Sequence, residues 1–332
     1  MQTSEVTPTL DELLDCAHVV TLRLAAPFRG IVVREALLLQ GSVGWSEFSP
    51  FDDYSDTESA SWLRAAIEFG WSRDHDPAGD QAQRIRVNAT VPAVSPERVG
   101  DILSRFRGCR TVKIKVGGPS TTLADDVARV REVRRRMGPE GRVRVDANGA
   151  WNVDEAEHAL HALAEFDLEY VEQPCASIAE LIDLRNRTQY MGIPIAADES
   201  VRRESDPLEV ARAGAADILV IKAQPLGGIS RALQLVREAQ LPAVVSSALE
   251  TSVGIAMGAH LAARLPDSEF DCGLGTAALL LDDVTDSPLV PDEGYIDVVR
   301  PQVNPDLLAR HGASTERTAW WLERLRRVYA LL

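Results

Sequence analysis

Val143-Arg144-Val145-Asp146, Leu168-Glu169-Tyr170-Val171-Glu172 and Ile193-Pro194-Ile195-Ala196-Ala197-Asp198 are three apolar, strand-like runs that each close on a carboxylate. The acids stand 26 residues apart, the length of one strand, one helix and two short loops. Acids that end successive parallel strands converge at the top of a barrel. Oxygen ligands gathered there suit a hard divalent cation, Mg²⁺ first, with Mn²⁺ as its substitute. Taken singly, an acid at a strand end is more often a helix N-cap or turn residue than a ligand. The common phase of Asp146, Glu172 and Asp198, with lysines in phase beside them, favours a metal site.

The same rhythm extends outward from the trio. Ile85–Val91 and Thr111–Val116 precede it as strands; Ile218–Lys222 and Ala243–Ser246 follow, with a short last one near Phe270–Leu274. Helical stretches at Leu123–Met137, Val153–Phe166 and Ile178–Tyr190 alternate with them. Alternating βα units predict a parallel sheet of the α/β class, and about eight strands favour closure into a (β/α) barrel of the TIM type. An open doubly wound sheet is the alternative.

The flanks read differently. Val19–Leu24 and Ile31–Leu39 are expected to be antiparallel strands, Gly41 to Gly44 a turn into a third at Trp45–Phe48, and Glu58–Trp71 a helix with Gly70 marking its end. Residues 1–83 therefore form an α+β unit closed by a linker at Arg73–Gln83, residues 84–279 the barrel, and residues 280–332 a proline-punctuated tail. The tail ends in an amphipathic helix at Thr315–Leu331 that returns to the first unit.

A net charge of −15 argues against nucleic acid and anionic membranes as partners. It leaves room for a small anionic substrate, because a metal and three lysines make a locally positive pocket. No apolar run reaches about 18 residues, and the start lacks the pattern of a signal peptide. Four scattered cysteines (Cys16, Cys109, Cys175, Cys272) fit reduced thiols in a cytoplasmic protein.

The lysines decide the chemistry. In Lys113-Ile114-Lys115 positions i and i+2 share a strand face, so both amines aim into the barrel while Val112, Ile114 and Val116 face out. Lys222 ends Ile218–Ile221 in the same inward phase, across the site from Lys115. Burial and like charge are expected to lower a lysine toward neutrality, which makes an amine usable as a base. Metal and amines together suit abstraction of a proton α to a carboxylate, the ion stabilising the enediolate as it forms.

Lys113-Ile114-Lys115, Asp146-Ala147-Asn148-Gly149-Ala150-Trp151, Glu172-Gln173-Pro174, Ala197-Asp198-Glu199-Ser200 and Ile221-Lys222 together resemble the enolase superfamily, muconate-lactonising subgroup. Val245–Gly254 and Gly44-Trp45-Ser46-Glu47-Phe48-Ser49-Pro50 are similar to segments of its o-succinylbenzoate synthases, with Ser46 in place of a glycine often found there. The resemblance implies an enolase-type modified barrel under a capping domain built from both chain ends. It implies Mg²⁺ on Asp146, Glu172 and Asp198; Lys115 as the base; Lys222 as a cationic stabiliser; and Lys113 as support for Lys115. The implied reaction is syn dehydration of 2-succinyl-6-hydroxy-2,4-cyclohexadiene-1-carboxylate to o-succinylbenzoate, in menaquinone synthesis. N-acylamino acid racemisation, dipeptide epimerisation and muconate cycloisomerisation on the same scaffold are rivals; a Schiff-base aldolase would not need the three acids.

Weaker candidates complete the site. Asn148 and Glu199 are placed behind the ligands and lysines. Ser246 and Ser247 precede a helix N-terminus suited to a substrate carboxylate. Arg29-Gly30 and Phe51–Ser55 are expected to be cap loops that close the pocket, with Arg29 binding substrate. None of the six histidines falls at a barrel strand end, which disfavours a histidine base.

Overall fold

The structure, a computed structural model, describes residues 7–76, 83–202, 207–265 and 269–332. After a short helix α1 (Leu10–Asp15), strands β1 (Ala17–Phe28), β2 (Ile31–Gln40) and β3 (Trp45–Phe48) form a three-stranded antiparallel sheet in that order. In β2 the run Ala36–Leu39 is buried at every position, so both faces of this strand are covered. Helix α2 (Asp56–Trp71) starts on a Ser55–Glu58 capping box. Gly70 does not end it. A Cβ on Gly41 would lie 2.1 Å from the Gly70 carbonyl oxygen, and Val43 N–H donates to that oxygen at 3.0 Å. The two glycines are matched so that the β2–β3 turn can rest on the helix backbone.

The barrel strands follow. β4 (Arg84–Arg86) and β5 (Ala89–Val91) replace the single expected strand at Ile85–Val91. Between them Val87 bridges Cys272 and the Asn88 N–H donates to the Cys272 carbonyl at 2.9 Å, while the Asn88 side-chain amide donates to Ala89 O at 2.8 Å. Next come α3 (Val99–Leu103), β6 (Thr111–Lys115), α4 (Leu123–Met137), β7 (Arg142–Asp146), α5 (Val153–Leu163), β8 (Leu168–Glu172) and α6 (Ile178–Thr188). They are followed by β9 (Ile195–Ala197), α7 (Glu199–Arg202), α8 (Glu209–Arg212), β10 (Ile218–Ile221), α9 (Ile229–Ala239), β11 (Ala243–Val245) and α10 (Ser252–Ala262). Strands β5 to β11 lie side by side in chain order, every pairing parallel. The expected last strand is reduced to two bridges, Val87 with Cys272 and Ser246 with Gly273, which join the sheet's two edges. Sequential order with joined edges is a closed barrel, which removes the open doubly wound alternative.

The tail returns as expected. β12 (Tyr295–Asp297) pairs antiparallel with β4, and after α11 (Pro305–Arg310) the helix α12 (Thr315–Tyr329) packs on α2 and the cap sheet. Trp321 meets Phe48 edge-on at 6.0 Å. Buried Arg324 donates to the carbonyls of Pro50, Phe51 and Tyr54 at 3.2, 3.0 and 2.8 Å, so a helix near residue 324 holds the 50–54 loop. Residues 77–82 of the expected linker lie outside the described residues. All four cysteines are free thiols. Among the described residues no helix is long and apolar enough to cross a membrane.

Candidate active site

Register places the chemistry. Lys115 pairs with Asp146 and Asp146 with Glu172 across β6, β7 and β8, and Glu172 with Ala196 on β9. Neighbouring strands are about 4.8 Å apart, so Lys115, Asp146 and Glu172 stand in one row at the strands' carboxyl ends. Asp198 lies two positions beyond Ala196, hence on the same face. Alternation buries Val112, Ile114, Val143, Val145 and Val171 on the outer face, in the apolar layer between strands and helices. One layer below the row, fully buried Arg144 bonds Asn88 Oδ1 at 3.0 Å and the Asp271 carbonyl at 2.7 Å, pairs with Glu169, and lies over the Tyr170 ring. It forms a charged floor that sequence reading did not single out.

The amines are already engaged. Lys113 Nζ bridges both oxygens of Glu172, at 2.9 and 3.0 Å, and lies 3.3 Å from Asp146. Lys115 Nζ donates to Asp146 Oδ2 at 2.5 Å and to Asn148 Oδ1 at 2.8 Å, and sits 5.4 Å from the centre of the Phe28 ring. Lys222 Nζ donates to Asp198 Oδ2 at 2.5 Å. Lys115 and Lys222 therefore flank the row from opposite ends, as the strand phase predicts. Asn148 passes its amide on to Glu199 at 3.2 Å, and Arg202 binds both Glu199 (2.6 Å) and Asp198 (3.0 Å).

These contacts set the acidities. Burial alone would favour a protonated Asp146, but Lys115 and Lys113 outweigh it and hold the carboxyl far below its usual range. Glu172 is pushed up by burial and by the charge of Asp146. Lys222 is lowered, chiefly by burial, as expected of a lysine here. Lys113 goes the other way, because Glu172 and Asp146 outweigh the effect of its burial.

Among the described residues no three acidic, histidine or cysteine side chains are gathered so as to hold an ion as they stand, since ammonium groups lie against the carboxylates. The donor set nevertheless fits a hard cation. Three buried carboxylates end adjacent strands, and Glu199 Oε2 beside them is buried with no donor.

Above the row a cavity of about 30 Å³ is lined by Phe28, Arg29, Phe51, Tyr54 and Trp62 from the cap and by Thr90, Ser246–Leu249, Gly273 and Thr276 from the barrel, besides the lysines, Asn148 and Arg202. That is room for a water or two, so a ring-sized ligand needs the walls to part. Arg29 and Gly30, both at positive φ, make the hairpin tip over it, and Arg29 stacks on Phe51 at 5.0 Å. The serines do not present a free helix end. Ser247 Oγ is tied to Gly273 O at 2.6 Å, and the α10 amides are already bonded, Thr251 and Gly254 N–H to Glu47 and Ser252 N–H to Asp283. The start of α10 therefore has no free amides to offer an anion.

Tyr54 lies in the Phe51–Ser55 loop expected to close the pocket, whereas sequence reasoning passed over Trp62, Thr90, Arg202 and Thr276. It also gave no task to Gln173 within the Glu172-Gln173-Pro174 motif. Gln173, at φ +39, accepts from Asp198 N and Ser200 N at 2.9 and 3.2 Å and so ties the end of β8 to the Asp198 loop. Its place next to Glu172 was the one available signal.

The model of the "Enolase C-terminal domain-like" family matches residues 101–305, and that of the "Enolase N-terminal domain-like" family residues 19–70. The chain belongs to the enolase superfamily. A member from Mycolicibacterium smegmatis named o-succinylbenzoate synthase is 48% identical over 326 residues, covering 98% of each chain, which places the present chain in that enzyme's family. Among solved superfamily structures, the L-Ala-D/L-Glu epimerase of Bacillus subtilis superposes with a TM-score of 0.71 at 25% identity, over 86% of this chain and 96% of its own. The muconate lactonizing enzyme of Pseudomonas fluorescens does so at 0.75 and 20%, over 90% and 98%, and speaks for the fold alone.

Proposed function

We propose that this chain is a Mg²⁺-dependent lyase that dehydrates 2-succinyl-6-hydroxy-2,4-cyclohexadiene-1-carboxylate to o-succinylbenzoate, a cytoplasmic step of menaquinone synthesis. The observation that carries the reading is the placement of Lys115 and Lys222 at opposite ends of the row Asp146–Glu172–Asp198, in a chain 48% identical to a named o-succinylbenzoate synthase. Asp146, Glu172 and Asp198 would hold the ion; when bound, it supplies charge stabilisation for the substrate carboxylate as that group gains electron density.

The chain's own residues do the rest. Lys115 takes the proton α to the carboxylate at Nζ. The C–O bond to the ring hydroxyl then breaks on the same face, and the Lys115 ammonium returns its proton to the departing hydroxide, so that water leaves and the amine is restored. Lys222, across the row, offers positive charge to the developing anion and the ring face. Lys113 keeps Glu172 oriented. Asn148 fixes the direction of the Lys115 amine and is itself fixed by Glu199. Ser246, Ser247 and Arg29 are the candidate contacts for the substrate's outlying polar groups.

The test is formation of o-succinylbenzoate with Mg²⁺ and its loss in EDTA. Both lysines could serve an α-proton exchange, so exchange of N-succinylamino acids in D₂O is measured alongside. Fast exchange with negligible dehydration replaces this proposal by a racemase.

A further inference from the structure

The pocket wall at Ser246–Leu249 belongs to the barrel, but its shape is imposed from the cap. Leu249 is buried in the left-handed region, φ +64. A side-chain-bearing residue stays there only where its surroundings over-determine it. They do so through Arg34 on β2, 3% exposed, which donates Nε to the Leu249 carbonyl at 3.1 Å and Nη2 to the Ala248 carbonyl at 3.4 Å. The same Nη2 holds Ser49, its Oγ at 2.9 Å and its carbonyl, and the guanidinium stacks on Phe51 at 4.4 Å. A second fully buried cap residue, Glu47 on β3, grips the other end of the turn. Its Oε2 accepts from Thr251 N–H (3.1 Å), Thr251 Oγ (2.6 Å) and Gly254 N–H (3.1 Å), capping α10 from another domain. Its Oε1 accepts from Ser49 Oγ at 2.6 Å, so Ser49 links cation and anion.

A buried guanidinium and a buried carboxylate are costly, and a pair serving only the cap would bond within the cap. Here each, besides its bonds to Ser49 within the cap, also reaches the backbone of a loop more than 200 positions away. The elements they join have other supports: β2 and β3 share a four-residue ladder, and α10 keeps Asp283 on Ser252. In the 248–249 turn the Ala248 N–H is held locally by Glu250 at 2.6 Å, but both carbonyls take their side-chain donor from the clasp, and that turn lines the pocket.

We propose that Arg34, Glu47 and Ser49 are positioning residues, a cap-borne clasp that holds the strained Ala248–Leu249 turn in the shape the anionic substrate binds. This rests on the dehydratase reading. The experiment compares wild type with Arg34→Met, Arg34→Lys, Glu47→Gln and Ser49→Ala as full-length, Mg²⁺-loaded enzymes, reading KM, kcat, melting temperature and the dissociation constant of o-succinylbenzoate. The wild type must first form o-succinylbenzoate; its failure there counts against the dehydratase and not against the clasp. Arg34→Met and Glu47→Gln are expected to raise KM and the product dissociation constant at least fivefold with kcat within threefold. Arg34→Lys, which keeps fewer donors in reach, falls between Arg34→Met and wild type. Folded Arg34→Met and Glu47→Gln proteins with both constants changed less than fivefold, or with kcat lost while KM holds, overturn the clasp. Should either variant not fold, Arg34→Lys and Ser49→Ala are read by direction: a rise in KM and product dissociation constant supports the clasp, and unchanged constants overturn it.

Discussion

Replacing Lys115 by glutamine separates chemistry from folding. The side chain is 14% exposed and bonds Asp146 and Asn148. A glutamine amide can donate to Asp146, and Asp146 keeps Lys113 at 3.3 Å, so no buried charge is left alone. The fold should therefore tolerate the change, with a loss of about 1.5–3 kcal/mol, the worth of a hydrogen bond to a charged group. The chemistry should not. Lys113 cannot substitute, because its ammonium is held at 2.9 and 3.0 Å by both oxygens of Glu172, and Lys222 is committed to Asp198 at the other end of the row. Losing a positioned proton acceptor costs about 10²–10⁴ in rate, or about 3–5 kcal/mol of barrier at 1.36 kcal/mol per decade. The assay is o-succinylbenzoate formation at saturating Mg²⁺, paired with thermal unfolding. A Lys115→Gln protein that unfolds cooperatively above the assay temperature and turns over within tenfold of wild type would falsify the assignment of the base.

Three further outcomes follow from the geometry. Mg²⁺ at a hundredfold excess over its dissociation constant should raise unfolding free energy by about 2.7 kcal/mol, and Glu172→Gln should abolish that gain in a calorimetric titration; an unchanged gain removes Glu172 from the ligand set. Gly41→Ala should destabilise by about 1–3 kcal/mol or more in denaturant unfolding, because its methyl would meet the Gly70 carbonyl at 2.1 Å. Trp321→Ala, at a fully buried ring that packs on Phe48 and donates to Glu35 at 2.8 Å, should cost about 3–5 kcal/mol by the same measurement, and a loss under 1 kcal/mol would contradict the packing described.

What could be read from sequence was what repeats. The inward phase of Lys113 and Lys115, the 26-residue spacing of the acids and the placement of Lys222 all follow from period-two strands in a serial βα pattern, and the barrel register places each where the pattern does. What escaped depends on partners far along the chain. Gly70 looks like a helix stop until Gly41 is laid against it. Ser246 and Ser247 look like the approach to an open helix N-terminus until Glu47, 204 positions earlier, is found on the Thr251 amide. Arg202 reaches Tyr54 across 148 positions. Asn88 sits in an unbroken apolar strand pattern, and the break appears only with Arg144 bonded to its side-chain oxygen. Local periodicity carries none of these.

The junction of α12 with the cap bears on how the protein is made. Arg324 and the Phe51 carbonyl it secures are 273 positions apart. At a synthesis rate of about 5–20 residues per second, the cap sheet leaves the ribosome tens of seconds before the helix that completes it. Phe48 and its neighbours must wait uncovered while the barrel is translated. The domain made first is the last to be finished, and a nascent chain stalled before residue 315 would be one in which a holding chaperone has most to cover.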